Sequence, residues 1–399
     1  MEHRLIQDIQ KALGWSGPQP LGRDFARGSL PEPELCTRLL TPTGLLDLVM
    51  RRSLTTYGLR CLVDGVDLNP RDYLGLSPAR RGQSVPMADM QRIGRLLQSG
   101  CTLILDMAHL YDSILEVACR ALQWWTHELV QVNLYLTTGQ AAGFDLHWDD
   151  HDVLVVQLAG EKSWEVRGLS RPAPMYRDAE PNPTPPDDVV WAGTMQAGDV
   201  MHIPRGYWHQ ATRQDQGGGF SLHATFGLTK RTGVHWLSWL ADQARADEQF
   251  RHDLDRWAAA EESRTRQLAL TDNAVRLVAT RSVADYLAAC AQDQSSARRL
   301  ATHGLFGLPS AVVCITEFPP NVVERDDTVV VSAARRTMTF ARAALPALRL
   351  LLSGRPVAVG ALATSTGLDV ASVVEVLVEQ GICAELTAEL ASGYAGWVS

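Results

Sequence analysis

Residues 129–137 alternate between apolar and polar side chains. One face carries Val130, Val132, Leu134 and Leu136, and the other carries Gln131, Asn133, Tyr135 and Thr137. A period of two is typical of a β-strand that packs on one side and faces polar space on the other. The pattern predicts a sheet wall beside a polar cavity.

More short strands are predicted after this one, at residues 153–158, 163–166, 189–191, 199–203 and 220–226. Glycines separate them, and Gly160 is expected to close a hairpin between the first two. Many short strands with glycine turns predict a double-stranded β-helix of the jelly-roll or cupin kind.

Helical periodicity appears on both sides of this region. It predicts helices over residues 4–14, 35–51, 87–98 and 113–124, then a helix-rich segment over 233–300. Residues 344–352, 357–364 and 369–380 predict three further helices before a strand at 382–386. Helix, turn, helix and strand in that order indicate a small winged helix, so the fold class is α+β.

Composition restricts the function classes. The 399 residues carry a net charge of -8, which argues against a general electrostatic grip on nucleic acid. The helix predicted at 369–380 has no basic residue, so we expect no direct sequence-specific DNA binding. Seven dispersed cysteines without a C-x-x-C pair, no apolar run of bilayer length and no signal core predict a cytoplasmic protein without membrane contact.

Candidate metal ligands lie between the strands. His147 and Asp149 are two residues apart, so on an extended segment they point the same way. His209 follows a strand and a Pro–Gly corner, and it supplies a third ligand. Two histidines and one carboxylate on one side of an ion suit Fe(II), although this pattern leaves zinc and manganese open.

Lys162 is one of only three lysines, with Lys11 and Lys230. An inward-facing lysine on a cavity wall needs an anion to offset its desolvation. The distal carboxylate of 2-oxoglutarate is such an anion. Asn133, Tyr135 and Thr138 lie on or beside the polar face of the preceding strand, and we expect them to hydrogen-bond the same co-substrate.

A family resemblance rests on five motifs. They are Asn-x-Tyr at 133–135, Gly-Phe-x-x-His-x-Asp at 143–149, the strand end Gln157-Leu158, Gly-x-Lys-x-Trp at 160–164 and Gly-Asp-x-x-x-x-Pro-Arg-Gly-x-x-His at 198–209. Together they resemble the JmjC-domain oxygenases, above all their ribosomal-oxygenase branch. The resemblance implies a 2-oxoglutarate-dependent dioxygenase with Fe(II) bound by His147, Asp149 and His209, and with Lys162 as the 2-oxoglutarate anchor.

The resemblance also implies three domains. Residues 1–231 form a JmjC/cupin catalytic domain with N-terminal helices and strands, residues 232–330 a helical dimerisation domain, and residues 331–399 a winged-helix domain. The implied partners are a second copy of the chain and a protein or peptide substrate. Hydroxylation of Arg or His in a ribosomal protein is the first expectation.

Several readings stay open beside this one. Asp149 with His151 is a rival ligand pair, and Asp150, His151 and Asp152 are expected at a solvated or substrate-facing rim. His202 and His223 are expected to be structural, although His223 at strand spacing from Ser221 also suits a cavity floor. The same chemistry on a peptide natural-product precursor, a small molecule or a methylated lysine, an inert cupin-like binding module, and a zinc or manganese cupin enzyme are the alternatives.

Overall fold

The structure is a computed structural model that describes residues 2–52, 54, 58–78, 82, 84–169, 171–175, 184–294, 299–300 and 305–398. Its mixture of helices and antiparallel strands confirms the α+β class. Within these residues no helix is both long enough and apolar enough to cross a membrane.

Five helices belong to the first 130 residues: α1 (Arg4–Leu13), α2 (Glu34–Leu39), α3 (Pro42–Arg51), α4 (Met90–Ser99) and α5 (Ser113–Thr126). The single helix predicted at 35–51 is therefore two helices. Pro42 begins α3, and the Thr41 hydroxyl caps it by accepting from the amide of Gly44 at 3.0 Å. Proline favours the first turn of a helix and interrupts one that arrives from before it.

The described residues before 230 contain twelve strands: β1 (Ala26–Ser29), β2 (Leu59–Val63), β3 (Val66–Asp67), β4 (Leu74–Pro78), β5 (Ser84–Ala88), β6 (Thr102–Leu105), β7 (Leu129–Thr138), β8 (Asp152–Leu169), β9 (Val189–Gln196), β10 (Asp199–Ile203), β11 (Tyr207–Thr212) and β12 (Phe220–Thr229). Eight of them form one antiparallel sheet in the order β1-β10-β8-β12-β7-β6-β2-β3. β9 and β11 pair with the other half of β8.

The alternation predicted for residues 129–137 is present in β7. Val132 and Leu134 are fully buried in the main apolar core, while Asn133 and Tyr135 face a cavity on the other side. Helix α5 packs its apolar face on the same core through Leu115, Ala118 and Leu122. The sheet therefore has one apolar and one polar face, as its sequence requires.

The hairpin predicted at Gly160 is wrong, because β8 runs without interruption from residue 152 to residue 169. Its first half pairs with β10 and β12, and its second half pairs with β9 and β11. Gly160 lies where the partners change and has a φ of +63°. The glycine therefore bends one strand between two sheets and does not close a turn.

We expect Gly160→Ala to destabilise the protein by roughly 2 kcal/mol or more, since the left-handed backbone alone costs about 1–2 kcal/mol with a Cβ and that Cβ would overlap the carbonyl of Phe220. Equilibrium unfolding in urea measures the loss. Gly94→Ala in the interior of α4 is the matched control, because nothing lies near its Cβ position. The control should be about 0.5–1 kcal/mol more stable than wild type.

Four helices follow the main sheet: α6 (Gly233–Ala244), α7 (Glu248–Arg251), α8 (Ala260–Thr280) and α9 (Val283–Asp293). Only Leu240 and Tyr286 in them are buried. Residues 295–298 and 301–304, which the predicted dimerisation domain includes, lie outside the described residues.

The C-terminal part contains β13 (Ala311–Cys314), β14 (Asn321–Glu324), β15 (Thr328–Ala333), β16 (Arg336–Ala341), α10 (Leu345–Leu351), β17 (Val357–Ala358), α11 (Val359–Thr366), α12 (Val370–Glu379), β18 (Cys383–Glu385) and α13 (Ala388–Tyr394). β13 pairs with β17 and β18, and β14, β15 and β16 form a second sheet. The predicted boundary at 330/331 falls within β15. The sequence pattern did not predict the sheet of β14, β15 and β16, because its strands are short and partly exposed.

Candidate metal centre and its cavity

Three side chains able to bind a metal converge on one point of the cavity wall. One ligand atom from each of His147, Asp149 and His209 lies within 4.8 Å of the others. Nε2 of His209 is 3.5 Å from Oδ2 of Asp149, and the two imidazole rings have centroids 4.5 Å apart. The structure thus brings together the three residues singled out in the sequence.

Backbone pairing explains why these residues meet. The amide of His147 donates to the carbonyl of His209 at 3.1 Å, and the amide of His209 donates back at 2.7 Å. Ala142 and His147 pair with β11 through isolated bridges, outside any regular strand. The extended backbone is still sufficient to direct the side chains of His147 and Asp149 to the same point.

Backbone carbonyls orient both imidazole rings. Nδ1 of His147 lies 2.7 Å from the carbonyl of Asp145, and Nδ1 of His209 lies 3.0 Å from that of Tyr207. Because a carbonyl only accepts, Nδ1 of the neutral ring donates and Nε2 keeps its lone pair. Burial, and then the neighbouring His147, lower the pKa of His209. His209 therefore presents the neutral nitrogen that metal coordination requires.

The donor set suits a six-coordinate ion. Two imidazoles and one carboxylate on one side leave further positions for ligands that are not protein, which is the usual arrangement for non-haem Fe(II). A tetrahedral zinc ion would keep one open position.

The residues after Asp149 have different environments. Asp152 is fully buried: it accepts from the amide of Arg205 at 2.8 Å and pairs with Lys230 at 3.2 Å. Its assignment to a rim is therefore wrong, and it is a structural anchor. Asp150 is exposed, and His151 lines the cavity with its ring against Gly227, where a Cβ would come within 2.9 Å.

The cavity beside the triad has a volume of about 570 Å³. Residues of β2, β6, β7, β8, β11 and β12 line it, together with the segment before the triad. Its lining includes Arg60, Asp106, Asn133, Tyr135, Phe144, Lys162, Trp164, His223 and Thr225. A space of this size admits a small acid and an incoming side chain together.

Lys162 is buried in the wall of this cavity. It is 2% exposed, and its Nζ donates to the hydroxyl of Thr137 at 2.9 Å. In the described part of the chain no carboxylate pairs with it. Burial, and then the charge of Arg213, lower the pKa of Lys162 to about 7. An anion that reached Nζ would offset this desolvation.

The depressed pKa makes stability depend on pH. An unfolded lysine keeps its proton up to about pH 10.4, whereas folding favours the neutral amine above about pH 7. The cost of burying the charged ammonium group is fully present below the pKa of the folded state. It is lost as the buried amine becomes neutral, so the free energy of unfolding should rise between about pH 7 and pH 10. Urea unfolding at pH 6 and pH 9 measures it. Lys162→Met should lack this increment, whereas Lys11→Met, at an exposed site, should keep it.

The other predicted co-substrate residues divide into two groups. Asn133 and Tyr135 line the cavity. Burial raises the pKa of Tyr135, so its hydroxyl stays protonated. The prediction for Thr138 is not supported, because its hydroxyl donates to the carbonyl of Leu97 at 2.7 Å, next to Cys101. Thr137 is the threonine beside Lys162, and the alternation with Asn133 and Tyr135 could have identified it.

His202 and His223 differ in their partners. His202 is fully buried; its Nδ1 lies 3.0 Å from the carbonyl of Asp24, and its Nε2 accepts from the amide of Gly22 at 3.4 Å. It is therefore structural, as predicted. His223 lines the cavity instead.

Sequence reasoning missed the contribution of the N-terminal part. The guanidinium of Arg60 lies over the ring of Phe144 at 5.3 Å, and it pairs with Asp67 at 2.6 Å and Asp106 at 3.7 Å. Arg60, Asp106 and Phe144 line the cavity. No periodic signal relates β2 to the metal-site segment.

Comparison with known proteins finds similarity in the region that contains this site. Residues 113–234, which include the triad and Lys162, match the model of the JmjC domain. The chain is 31% identical over 184 residues to ribosomal oxygenase 1 of Homo sapiens, an overlap that covers 44% of this chain and 28% of that protein. It is 33% identical over 129 residues to the bifunctional lysine-specific demethylase and histidyl-hydroxylase NO66 of Drosophila persimilis, which covers 32% of this chain and 18% of that protein.

These matches span less than a third of the length of either relative. Among solved structures, the Escherichia coli ribosomal oxygenase YcfD is similar over 96% of this chain and 99% of its own, with a TM-score of 0.54 and 12% identity. The complex of YcfD with cobalt and 2-oxoglutarate also has a TM-score of 0.54 and 12% identity, and it covers 93% of this chain and 98% of its own. Residues 113–234 therefore match the JmjC domain, and the chain shares the overall fold of the YcfD structures.

Proposed function

We propose that this chain is an Fe(II)- and 2-oxoglutarate-dependent dioxygenase that hydroxylates a protein side chain. The observation that carries the proposal is the convergence of His147, Asp149 and His209 beside a buried lysine that has no carboxylate partner in the described part of the chain. Fe(II), when bound with 2-oxoglutarate and O2, supplies the oxidising chemistry. The protein supplies ligands, orientation and a cavity that limits access of water.

The triad supports iron as the metal because it leaves room for further ligands on the cavity side. His147 and His209 would bind through Nε2, since a carbonyl holds each Nδ1. Lys162 supports 2-oxoglutarate because a charged amine without a counter-ion favours an anion. A structure of YcfD, which has a similar fold, contains cobalt and 2-oxoglutarate, and this supports a metal and 2-oxoglutarate as the ligands of this chain.

The substrate side of the proposal rests on the relatives. Their names describe a ribosomal oxygenase and a histidyl-hydroxylase, so an Arg or His side chain of a ribosomal protein is our first candidate. A peptide natural-product precursor, a small molecule or a methylated lysine remains the alternative substrate. We keep the cytoplasm as the proposed location, where the seven cysteines, all free, would stay reduced.

Succinate release from 2-oxoglutarate tests the proposal. Wild-type protein with Fe(II) should release succinate, and a candidate ribosomal protein should gain the mass of one oxygen atom. His147→Ala should lose this activity, while His252→Ala, at an exposed histidine far from the cavity, should keep it. If neither Fe(II) nor any added protein supports turnover, the cupin-like binding module becomes the better reading. Activity with zinc or manganese alone would favour the alternative of a zinc- or manganese-dependent cupin enzyme.

We further propose the finer architecture expected from the sequence. β7 to β12 with the triad segment would form the double-stranded β-helix, and β13 with α10, α11, α12 and β18 would form a winged helix. The acidic α12 supports a role in protein contact or structure and not in phosphate binding.

We also propose a homodimer through the helical segment. Six apolar side chains there are each more than 45% exposed: Val234, Leu237, Leu268, Val275, Val278 and Leu287. Exposed apolar surface is typical of an interface. Light scattering should give twice the mass of one chain. Val275→Asp should yield monomers, whereas Val323→Asp, at an exposed apolar position of β14, should leave the dimer intact.

A further inference from the structure

The imidazole of His223 belongs to the inner wall of the cavity. The residue is 3% exposed and lies in the middle of β12, opposite Tyr135 of β7 and Gln157 of β8. The pairing with β8 shifts register between Leu222 and His223. His223 therefore lies on the same polar side of the sheet as Asn133 and Tyr135, where it shares a cavity with Lys162.

Two aromatic rings hold the plane of this imidazole. It stacks on Tyr135 with centroids 4.8 Å apart and 6° between the planes. Trp164 meets it edge-on, with centroids 5.3 Å apart and 71° between the planes. A ring held on two sides presents its nitrogens in fixed directions, so it is preorganised for a ligand.

The hydrogen-bonding capacity of His223 is unused among the described residues. Its Nδ1 is buried without a partner, and so is Nε1 of the adjacent Trp164. His202 provides the contrast, because protein atoms engage both of its ring nitrogens. A buried polar atom without a partner is costly. Two such atoms beside one cavity indicate that a ligand completes them.

The charge around His223 selects the kind of ligand. Burial, and then the charge of Lys162, lower the pKa of His223 well below its ordinary value, so the ring is neutral and donates one N–H. Arg213 is buried near Lys162, with its guanidinium donating to the carbonyls of Gly139 and Glu161. Arg213 is not among the residues that line the cavity, so Lys162 is the amine and His223 the neutral donor that it presents, and this combination fits a carboxylate.

We propose that His223 binds the co-substrate, donating a hydrogen bond to the same 2-oxoglutarate carboxylate that Lys162 engages. This inference rests on the proposed function, and it gives a specific role to a residue that the sequence suggested only as part of the cavity floor. Lys162 supplies the positive charge for this carboxylate. His223 orients it, because contacts with Tyr135 and Trp164 hold the plane of the imidazole.

The test measures binding without turnover. Calorimetric titration of Mn(II)-loaded protein without O2 gives the dissociation constants of 2-oxoglutarate and of 2-oxopentanoate, which has the same carbon chain without the distal carboxylate. The variants are His223→Asn and His223→Leu, which share a shape and differ in hydrogen bonding. His252→Leu is the control on the surface.

We expect His223→Leu to weaken 2-oxoglutarate binding by about 10- to 100-fold, the usual effect of losing a hydrogen bond to a charged group. His223→Asn should recover at least part of this loss of affinity. The affinity for 2-oxopentanoate should be the same in wild type and in both His223 variants. Equal affinity of wild type and His223→Leu for 2-oxoglutarate would overturn the inference and leave the proposed function intact. Equal weakening of both ligands would also overturn it, since it would assign His223 to packing. Wild type that binds Mn(II) but not 2-oxoglutarate would instead reject the proposed co-substrate, and this inference with it.

Discussion

Asp149→Ala is expected to lower the affinity of the protein for Fe(II) by at least about 100-fold and to abolish succinate release. Loss of a mere outer-shell partner of a metal ligand already costs about 10- to 100-fold. Asp149 supplies the only anionic member of the proposed triad, and its Oδ2 lies 3.5 Å from Nε2 of His209. Without it, two neutral imidazoles would face a divalent ion and its positive charge would be uncompensated.

Titration with Co(II), followed by its visible absorption, measures this loss without O2 or substrate. Asp150→Ala is the matched control, because this neighbouring carboxylate is exposed and lies 3.4 Å from Nδ1 of His151. The control should bind Co(II) as wild type does. Wild-type affinity in Asp149→Ala would contradict the assignment of the triad, and a loss in Asp150→Ala would point to the rival pair that includes His151.

Lys162→Met is expected to raise the dissociation constant of 2-oxoglutarate by about 100-fold or more. Removing one partner of a buried, hydrogen-bonded charge pair costs roughly 2–5 kcal/mol, which is about 30-fold or more in affinity. Methionine retains the volume of the lysine stem, so packing against Thr137 and Gly143 should persist. The apo variant should even be more stable below pH 7, since it lacks the buried charge.

Calorimetry with Mn(II)-loaded protein measures the binding constant, and succinate release at rising 2-oxoglutarate gives the change in KM. Lys11→Met is the control, because its side chain is 66% exposed. An unchanged affinity in Lys162→Met would place the co-substrate carboxylate elsewhere in the cavity. Unchanged metal affinity in the same variant would separate this effect from damage to the triad.

The sequence predicted those parts of the site that short-range geometry controls. His147 and Asp149 point to one place because two residues along an extended backbone restore the direction of the side chain. His209 joins them because the Pro–Gly corner begins β11 at the right point. Lys162 was identified by its rarity and by the cost of burying an ammonium group.

Other parts depended on pairing that no local pattern encodes. The glycine pattern predicts a turn at Gly160. The strand instead continues through it, because β10 and β12 pair with β8 before this residue and β9 and β11 pair with it afterwards. Thr138 was predicted to contact the co-substrate, although Thr137 shares the strand face of Asn133 and Tyr135. The hydroxyl of Thr138 donates to the carbonyl of Leu97, whereas that of Thr137 accepts from Lys162. Arg60 and Asp106 reach the cavity only through tertiary contacts of β2 and the segment after β6.

The bent strand β8 has a consequence for entry into the cavity. It carries Val153 and Val155 on one wall and Lys162 and Trp164 on the other. One continuous backbone, hydrogen-bonded to other strands along both halves, connects these two sets of cavity residues. Any opening of the cavity that moved one half of β8 would therefore also move the other half, and with it the cavity residues that this half carries.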